Sequence, residues 1–229
     1  MDATQASDYK RLYLVDENGF ILLIKVSVAD YASRILKGEY ADIEKQLMMT
    51  ALNYAQEAEK LIGKAEDATL AGILTNESYK GYITENTEYG TALDVSSIAA
   101  AVKSAQLNLD SQPDFIFTLD KTFAGTVTLS YNNFGGVTVS KEYTVQAGEE
   151  DTVISLSSMK IHELWKTITV KVVGTVGEDA VDLTGSYNLG TYVQGVAESE
   201  EGVALAKAIY SYAKMAATYR EYVVANEGL

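Results

Sequence analysis

Hydrophobic and polar residues alternate along the middle of the chain, as they do in strands that bury one face. Phe115, Phe117 and Leu119 share one face of a short segment. The predicted strands are Val102–Leu109, Phe115–Leu119, Thr126–Tyr131, Val137–Val145, Val153–Leu156, Thr167–Val173 and Ala180–Leu183. Seven such strands are enough for an antiparallel β-sandwich.

The N-terminal part of the chain predicts a hairpin followed by helices. Leu12–Val15 and Phe20–Val26 are apolar runs separated by a turn that contains Asn18–Gly19. Asn-Gly favours a tight hairpin because both residues tolerate positive φ. Ser27, with Asp30 three residues later, is a predicted N-cap for a short helix. A longer helix is predicted after it.

This order of elements returns near the end of the chain. After the last two predicted strands, Asn188 stands where Ser27 stands in the first copy, and a long helix again follows. Tyr212-Ala213 aligns with Tyr54-Ala55 in the two long helices. The two long helices are predicted over Ala41–Ile62 and Glu198–Val224. The matched caps and Tyr-Ala pairs indicate an internal repeat.

The predicted fold class is therefore α+β, an antiparallel β-sandwich flanked by two repeated hairpin–short helix–long helix units. Residues 1–8 are interpreted as a tail that is disordered or derives from expression, and residues 9–64 as the first unit. Residues 65–100 are an irregular connection, and residues 101–229 form the sandwich ending in the second unit. The first unit and the sandwich are expected to form one compact domain.

Charge and cysteine content narrow the function classes. The chain has 18 Lys and Arg against 32 Asp and Glu, a formal net charge of −14. Such a surface repels nucleic acid and anionic membrane surfaces, so binding to either is not expected. Membrane insertion is not expected either, because the longest apolar run, Phe20–Ile24, is far too short to span a bilayer. The absence of Cys excludes thiol catalysis, thiolate metal sites and disulfides. The absence of Cys, together with 16 Tyr and a single Pro, favours an exported, extracellular protein.

The chain shows no pattern that predicts catalysis, so we expect no enzyme, no cofactor and no metal site. His162 is the only histidine and lies in a predicted turn before a strand. A small carboxylate-dependent hydrolase is kept as a second alternative, which would need two carboxylates facing each other across a cleft, and the sequence identifies no such pair. Whether calcium binds the acidic loops also stays open, because Asp110, Asp114 and Asp120 lie near strand ends without the spacing of a calcium loop.

One segment has a composition suited to ligand binding. Tyr131, Asn132, Asn133 and Phe134 lie in a predicted hairpin turn, and Trp165 is the only tryptophan. Aromatic faces and planar amides are the groups that bind sugar rings and their hydroxyls. The alternative, which is favoured, is that Tyr131 and Phe134 cover the open end of the sandwich while the amides shape the turn.

Several segments together resemble a repeated sandwich-plus-helix module of large secreted surface proteins of gut Firmicutes. The segments are Val26–Tyr31, Ala51–Ala58, Leu70–Ala71, Leu107–Leu109, Phe115–Phe117, Gly185–Tyr187 and Tyr212–Ala213. In that module a Tyr-Ser-Val-x-x-Tyr stretch precedes a Leu-Asn-Tyr-Gly-x-x-Ala helix and a Leu-Ala-Asn stretch. This chain departs from it at Ala55 and at Ala71-Gly72.

The resemblance implies a non-catalytic module on the cell surface, beside other domains of a larger chain. Its expected function is that of a structural spacer or of adhesin-type binding, with a glycan or a host or bacterial surface protein as partner. The alternative is a carbohydrate-binding module that uses Tyr131, Asn132, Asn133, Phe134 and Trp165.

Overall fold

The structure is a computed structural model. It describes residues 6, 8, 10–15, 21–64, 67–90, 93–108, 113–157, 159–196 and 202–227. The predicted Asn18–Gly19 turn and nearly all of the predicted tail at 1–8 lie outside the described residues. The chain divides into two compact units, Met1–Thr87 with Lys207–Leu229, and Glu88–Ala206.

The described residues form nine strands and five α-helices. The strands are β1 Lys10–Val15, β2 Ile21–Val26, β3 Val102–Asn108, β4 Asp114–Leu119, β5 Phe123–Asn132, β6 Thr138–Val145, β7 Thr152–Leu156, β8 Ile168–Val176 and β9 Asp179–Tyr187. The helices are α1 Val28–Lys37, α2 Asp42–Leu61, α3 Ala68–Leu74, α4 Leu189–Val196 and α5 Val203–Glu227.

In the first unit, β1 and β2 pair as an antiparallel hairpin that forms a sheet of its own. The predicted cap is confirmed, since the Asp30 backbone N–H donates to Ser27 Oγ at 3.0 Å. The helices α1, α2 and α3 bury a shared apolar core. Its largest members are Leu36, Met49, Leu52, Leu70 and Leu74.

Two helices of the first unit hold an extended segment by side-chain hydroxyls. The backbone N–H of Thr84 donates to Thr50 Oγ1 of α2 at 3.1 Å, and that of Asn86 donates to Ser211 Oγ of α5 at 2.9 Å. Both hydroxyl-bearing side chains are buried. Thr50 and Ser211 are polar residues at buried helix positions. Their hydroxyls are needed there because backbone N–H groups that are shielded from water require a hydrogen-bond acceptor.

The second unit contains two antiparallel sheets, with strand orders β3-β4-β7 and β6-β5-β8-β9. The predicted alternation is confirmed, because Phe115, Phe117 and Leu119 of β4 are fully buried. In the four-stranded sheet, Val127 and Leu129 of β5 are likewise buried. The predicted α+β class is therefore correct for the described residues, and the structure shows that the sheets of this unit have three and four strands.

A tyrosine ties each outer strand of the three-stranded sheet to the four-stranded sheet. On one side, Tyr187 of β9 donates through its hydroxyl to Ala105 O of β3 at 3.0 Å. On the other, Tyr143 of β6 donates to Ser155 O of β7, and Ser155 N–H donates back to Tyr143 Oη at 3.3 Å. These bonds satisfy backbone groups at edge strands, which otherwise pair with other chains.

The two central strands of the four-stranded sheet approach closely at a pair of glycines. Gly125 of β5 lies opposite Gly174 of β8. A Cβ atom at Gly174 would lie 2.1 Å from Ala124 O, and one at Gly125 would lie 2.2 Å from Val173 O. Only glycine fits at either position without a shift of the backbone.

The predicted irregular connection over residues 65–100 is wrong in one part, because α3 forms within it. Asp67 caps this helix by accepting hydrogen bonds from the backbone N–H groups of Thr69 and Leu70, at 2.9 and 3.0 Å. Leu70 and Leu74, one turn apart, are both buried. A seven-residue helix presents too few apolar positions for its period to be visible in the sequence.

Candidate functional site

The candidate site lies at the turn between β5 and β6. Asn133 closes this turn, because its backbone N–H donates to Val137 O and its Oδ1 accepts from Val137 N–H, both at 2.9 Å. Gly136 has φ +75°, a conformation that favours glycine. The turn therefore has a fixed shape, and it presents Phe134 at its tip.

A buried carboxylate connects this turn to the chain segment before β8. Glu163 ends a 3₁₀ turn, Ile161–Glu163, and is only 6% exposed. Its Oε1 accepts from the Phe134 backbone N–H at 3.1 Å, and its Oε2 accepts from the Tyr131 hydroxyl at 3.3 Å. The Lys160 backbone N–H lies 3.5 Å from Oε2. Glu163 thus fixes the position of the β5–β6 turn.

Tyr131 lies inside the sandwich rather than on its surface. Its side chain is 7% exposed, on the same buried face as Leu129. Burial and the negative charge of Glu163 raise the pKa of the Tyr131 hydroxyl above its ordinary value, so it stays a neutral donor. Of the predicted platform residues, Tyr131 is therefore the one that covers the end of the core.

Four partly exposed side chains surround this anchor, namely Phe134, His162, Trp165 and Lys166, which we call the aromatic corner. The rings of Phe134 and His162 meet edge to face with centroids 5.5 Å apart. The Trp165 Nε1–H donates to His162 O at 2.9 Å, which fixes the orientation of the indole. The corner is thus ordered by its own hydrogen bonds and ring contacts.

The ammonium group of Lys166 lies between two of these rings. Its Nζ is 4.7 Å from the centroid of Trp165 and 5.5 Å from that of Phe134. Both distances are within the range of cation–π attraction, which is about 6 Å. The corner therefore combines a positive charge with aromatic surface.

The start of α4 supports the same corner from behind. Asn188 Oδ1 accepts from the Thr191 backbone N–H at 3.0 Å, as an N-cap does, and Asn188 Nδ2 donates to Trp165 O at 3.4 Å. The Leu189 N–H donates to Leu164 O at 3.2 Å, and the Leu164 side chain is fully buried. The predicted cap at Asn188 is present, and it also holds the tryptophan segment.

The structure brings together Tyr131, Phe134 and Trp165 from the predicted set, but it gives the two amides other partners. Asn132 Oδ1 accepts from the Thr138 hydroxyl at 2.9 Å, and Asn133 Oδ1 is used in the turn. Asn132 follows Tyr131 along β5, so its side chain projects to the opposite face of the sheet. Phe134 and Trp165 are the predicted residues that remain at the surface of the corner.

Sequence reasoning missed Glu163 and Lys166. A glutamate within a polar turn is usually exposed to solvent, and a lone lysine gives no pattern. The available signal was the spacing of three between Lys160 and Glu163, followed directly by apolar Leu164 and Trp165. That arrangement places the carboxylate where it can reach back to the start of a short turn.

Of the acidic residues considered for calcium, Asp114 and Asp120 lie at opposite ends of β4. Asp110 lies outside the described residues. Asp120 accepts from Thr122, and with Asp151 it flanks Lys103, whose Nζ lies 3.3 Å from Asp120 Oδ2 and 2.8 Å from Asp151 Oδ1. These hydrogen bonds from Thr122, with Lys103 in addition, lower the pKa of Asp120 to about 2. No group of three possible metal-ligating side chains occurs among the described residues.

Comparison with known proteins finds no matching family model, no matching curated protein and no matching solved structure. In the described part of the chain, none of the helices is long and apolar enough to cross a membrane. The candidate site is therefore interpreted from its own geometry.

Proposed function

We propose that this chain is a non-catalytic extracellular module of a bacterial cell-surface protein, with adhesin-type binding through the aromatic corner. One observation carries the proposal: Phe134 and Trp165 lie partly exposed around Lys166, the first held by the buried carboxylate of Glu163 and the second by His162 O. A surface whose side chains are ordered before binding loses less conformational entropy when a ligand arrives. Tryptophan is also among the residues that most often dominate the binding energy of an interface.

The second candidate is a carbohydrate-binding module, and it is favoured by the position of the indole. The Nε1–H of Trp165 is bonded within its own turn, so the ring is fixed while part of its surface meets solvent. A fixed aromatic face is what a pyranose ring packs against through its CH groups. In this version of the proposal, Trp165 and Phe134 supply the contact and Tyr131 supports them from the core.

A structural spacer is the form of the proposal that requires no ligand. The tyrosine bonds at Ala105 and Ser155 support it, because they satisfy edge-strand backbone groups inside the unit. A module that closes its own edges is less prone to add strands from neighbouring domains of a longer chain.

We also propose that the chain contains an internal duplication of hairpin, short helix and long helix. The element order β1-β2-α1-α2 matches β8-β9-α4-α5, and Ser27 and Asn188 both accept a backbone N–H at the start of the short helix. The aligned Tyr54 and Tyr212 stack on each other, with centroids 5.8 Å apart. Contact between equivalent positions is what a pseudo-twofold relation produces.

The binding proposal is tested by presenting the full chain to one array of glycans and one of extracellular proteins. Trp165→Ala is the test variant, and Lys80→Gln, which changes a surface residue of the first unit, is the matched control. We expect at least one ligand whose signal is lost with Trp165→Ala and kept with Lys80→Gln, while both variants unfold cooperatively. If no signal on either array depends on Trp165, the binding proposal is wrong and the spacer remains.

A further inference from the structure

We propose that the aromatic corner binds carboxylated sugars, such as uronic acids, with the sugar ring on Trp165 and its carboxylate on Lys166. This inference rests on the proposed binding function and specifies its ligand class. It is argued from the charge at the corner, the order of the rings and the position of the ammonium group.

The charge at the corner is opposite to that of the chain as a whole. The net charge is −14, yet within Lys160–Lys166 two lysines accompany a single carboxylate, Glu163. That carboxylate is buried and accepts hydrogen bonds from Tyr131 and Phe134. Its oxygens are therefore turned towards the protein, whereas the ammonium of Lys166 lies against the partly exposed rings.

The ammonium of Lys166 is not neutralised by an acid of the described chain. Five other lysines form ion pairs, namely Lys60, Lys64, Lys80, Lys103 and Lys171. Among the residues that the structure describes, no carboxylate forms such a pair with Lys166 or with Lys160. In so acidic a chain, an ammonium without a carboxylate partner is a position where an anionic group of a ligand gains an ion pair.

The geometry favours a ligand that has both a ring and a carboxylate. The Lys166 ammonium lies over the indole ring, 4.7 Å from its centroid, so a pyranose that packs its CH groups on the exposed remainder of the ring has the positive charge next to it. A neutral sugar would gain the ring contact alone, and a simple carboxylate would gain the charge contact alone. A uronic acid carries its carboxylate directly on the ring. One sugar unit can therefore contact the indole of Trp165 and the ammonium of Lys166 at the same time.

The experiment compares two probes, an oligogalacturonate and its methyl ester, in which the same sugar chain has its carboxylates either free or neutralised as esters, by calorimetric titration of the full chain. We expect the acid to bind at least tenfold more tightly than the ester. Lys166→Gln should remove most of that difference by weakening the acid, and Lys166→Arg should retain it. Lys80→Gln serves as the control, because Lys80 lies in the other unit. Melting curves establish that each variant is folded.

Equal affinity for acid and ester, or an unchanged preference in Lys166→Gln, would overturn the carboxylated-sugar inference. So would binding of neither probe. None of these results decides whether the chain binds a ligand at all, which the array experiment tests. A neutral glycan or a protein whose array signal depends on Trp165 would still support the binding function. The two proposals therefore fail by different readouts.

Discussion

Carboxylates from neighbouring segments lie near each end of strand β5, in opposite settings. At one end, Glu163 is buried and its partners are neutral donors, two of them backbone N–H groups. At the other, Asp120 and Asp151 lie at the surface around the exposed ammonium of Lys103. A buried acceptor must keep its partners, since leaving them unpaired is costly, whereas surface ion pairs contribute little to stability. The hydrogen bonds of Glu163 therefore determine the local geometry, whereas the Asp120, Asp151 and Lys103 group mainly balances surface charge.

The sharpest test of this comparison is Glu163→Ala, which removes the buried acceptor. We expect the free energy of unfolding to fall by about 3 kcal/mol, because the donors of Tyr131 and Phe134 lose their partner. Urea unfolding measures the loss. Glu163→Gln keeps one acceptor oxygen and should lose about half as much. A loss below about 1 kcal/mol in the alanine variant would mean that water satisfies these donors.

Phe134→Ala tests whether the ring covers the core or stands at the surface. A partly exposed ring leaves only part of a cavity, so we expect a loss of about 1–2 kcal/mol. Phe117→Ala is the matched control, since Phe117 is fully buried, and it should lose about 3–5 kcal/mol. Equal losses in the two variants would identify Phe134 as a core residue and argue against a binding surface.

Tyr131→Phe removes one hydrogen bond and keeps the ring. The expected loss is about 1 kcal/mol, because Glu163 retains its backbone donors. Thermal unfolding at neutral pH measures it, where the raised pKa of the Tyr131 hydroxyl keeps it protonated. Combined with Glu163→Ala, the substitution should be far from additive, because both remove the same bond. Simple additivity would show that this bond does not couple the two residues.

The smallest effect is expected at the surface cluster, and it depends on pH. The folded pKa of Asp120 is about 2, below its ordinary 3.8, so the stabilisation is present above pH 4 and is lost as the pH falls towards 2. Lys103 stays charged throughout this range, since its pKa is raised. Asp120→Asn should therefore cost a small amount of stability at pH 7 and almost none near pH 2, which flattens the acid side of the stability profile. An unchanged slope between pH 4 and pH 2 would contradict the assignment of the lowered Asp120 pKa to its hydrogen bonds from Thr122 and its contact with Lys103.

The sandwich could be predicted from the sequence because its strands alternate regularly. Phe115, Phe117 and Leu119 occupy one face in a strict period of two, and each is fully buried. The helix α2 was equally readable, since its predicted span, Ala41–Ile62, differs by one residue at each end from Asp42–Leu61. Long periodic segments repeat their signal often enough to determine the element.

The candidate site was only partly predictable, because its decisive residue acts through distant partners. Tyr131, Phe134 and Trp165 were identified from their side-chain chemistry, which is visible in the sequence. Glu163 is important because it reaches backbone and side-chain donors about 30 residues earlier in the chain. Such a contact depends on tertiary packing, and neither propensity nor local spacing encodes it. Lys166 could not be identified from the sequence either, because its role depends on the rings of Phe134 and Trp165 that the fold places around its ammonium group.

The facing glycines of β5 and β8 constrain how this sequence can evolve. A methyl group at Gly125 would meet Val173 O and the Gly174 backbone, and one at Gly174 would meet Ala124 O and the Gly125 backbone. The obstacle at each position is the main chain of the other strand, which every amino acid shares. No replacement at one position can therefore compensate for a replacement at the other. Both positions are therefore expected to stay glycine for as long as β5 and β8 pair in this way.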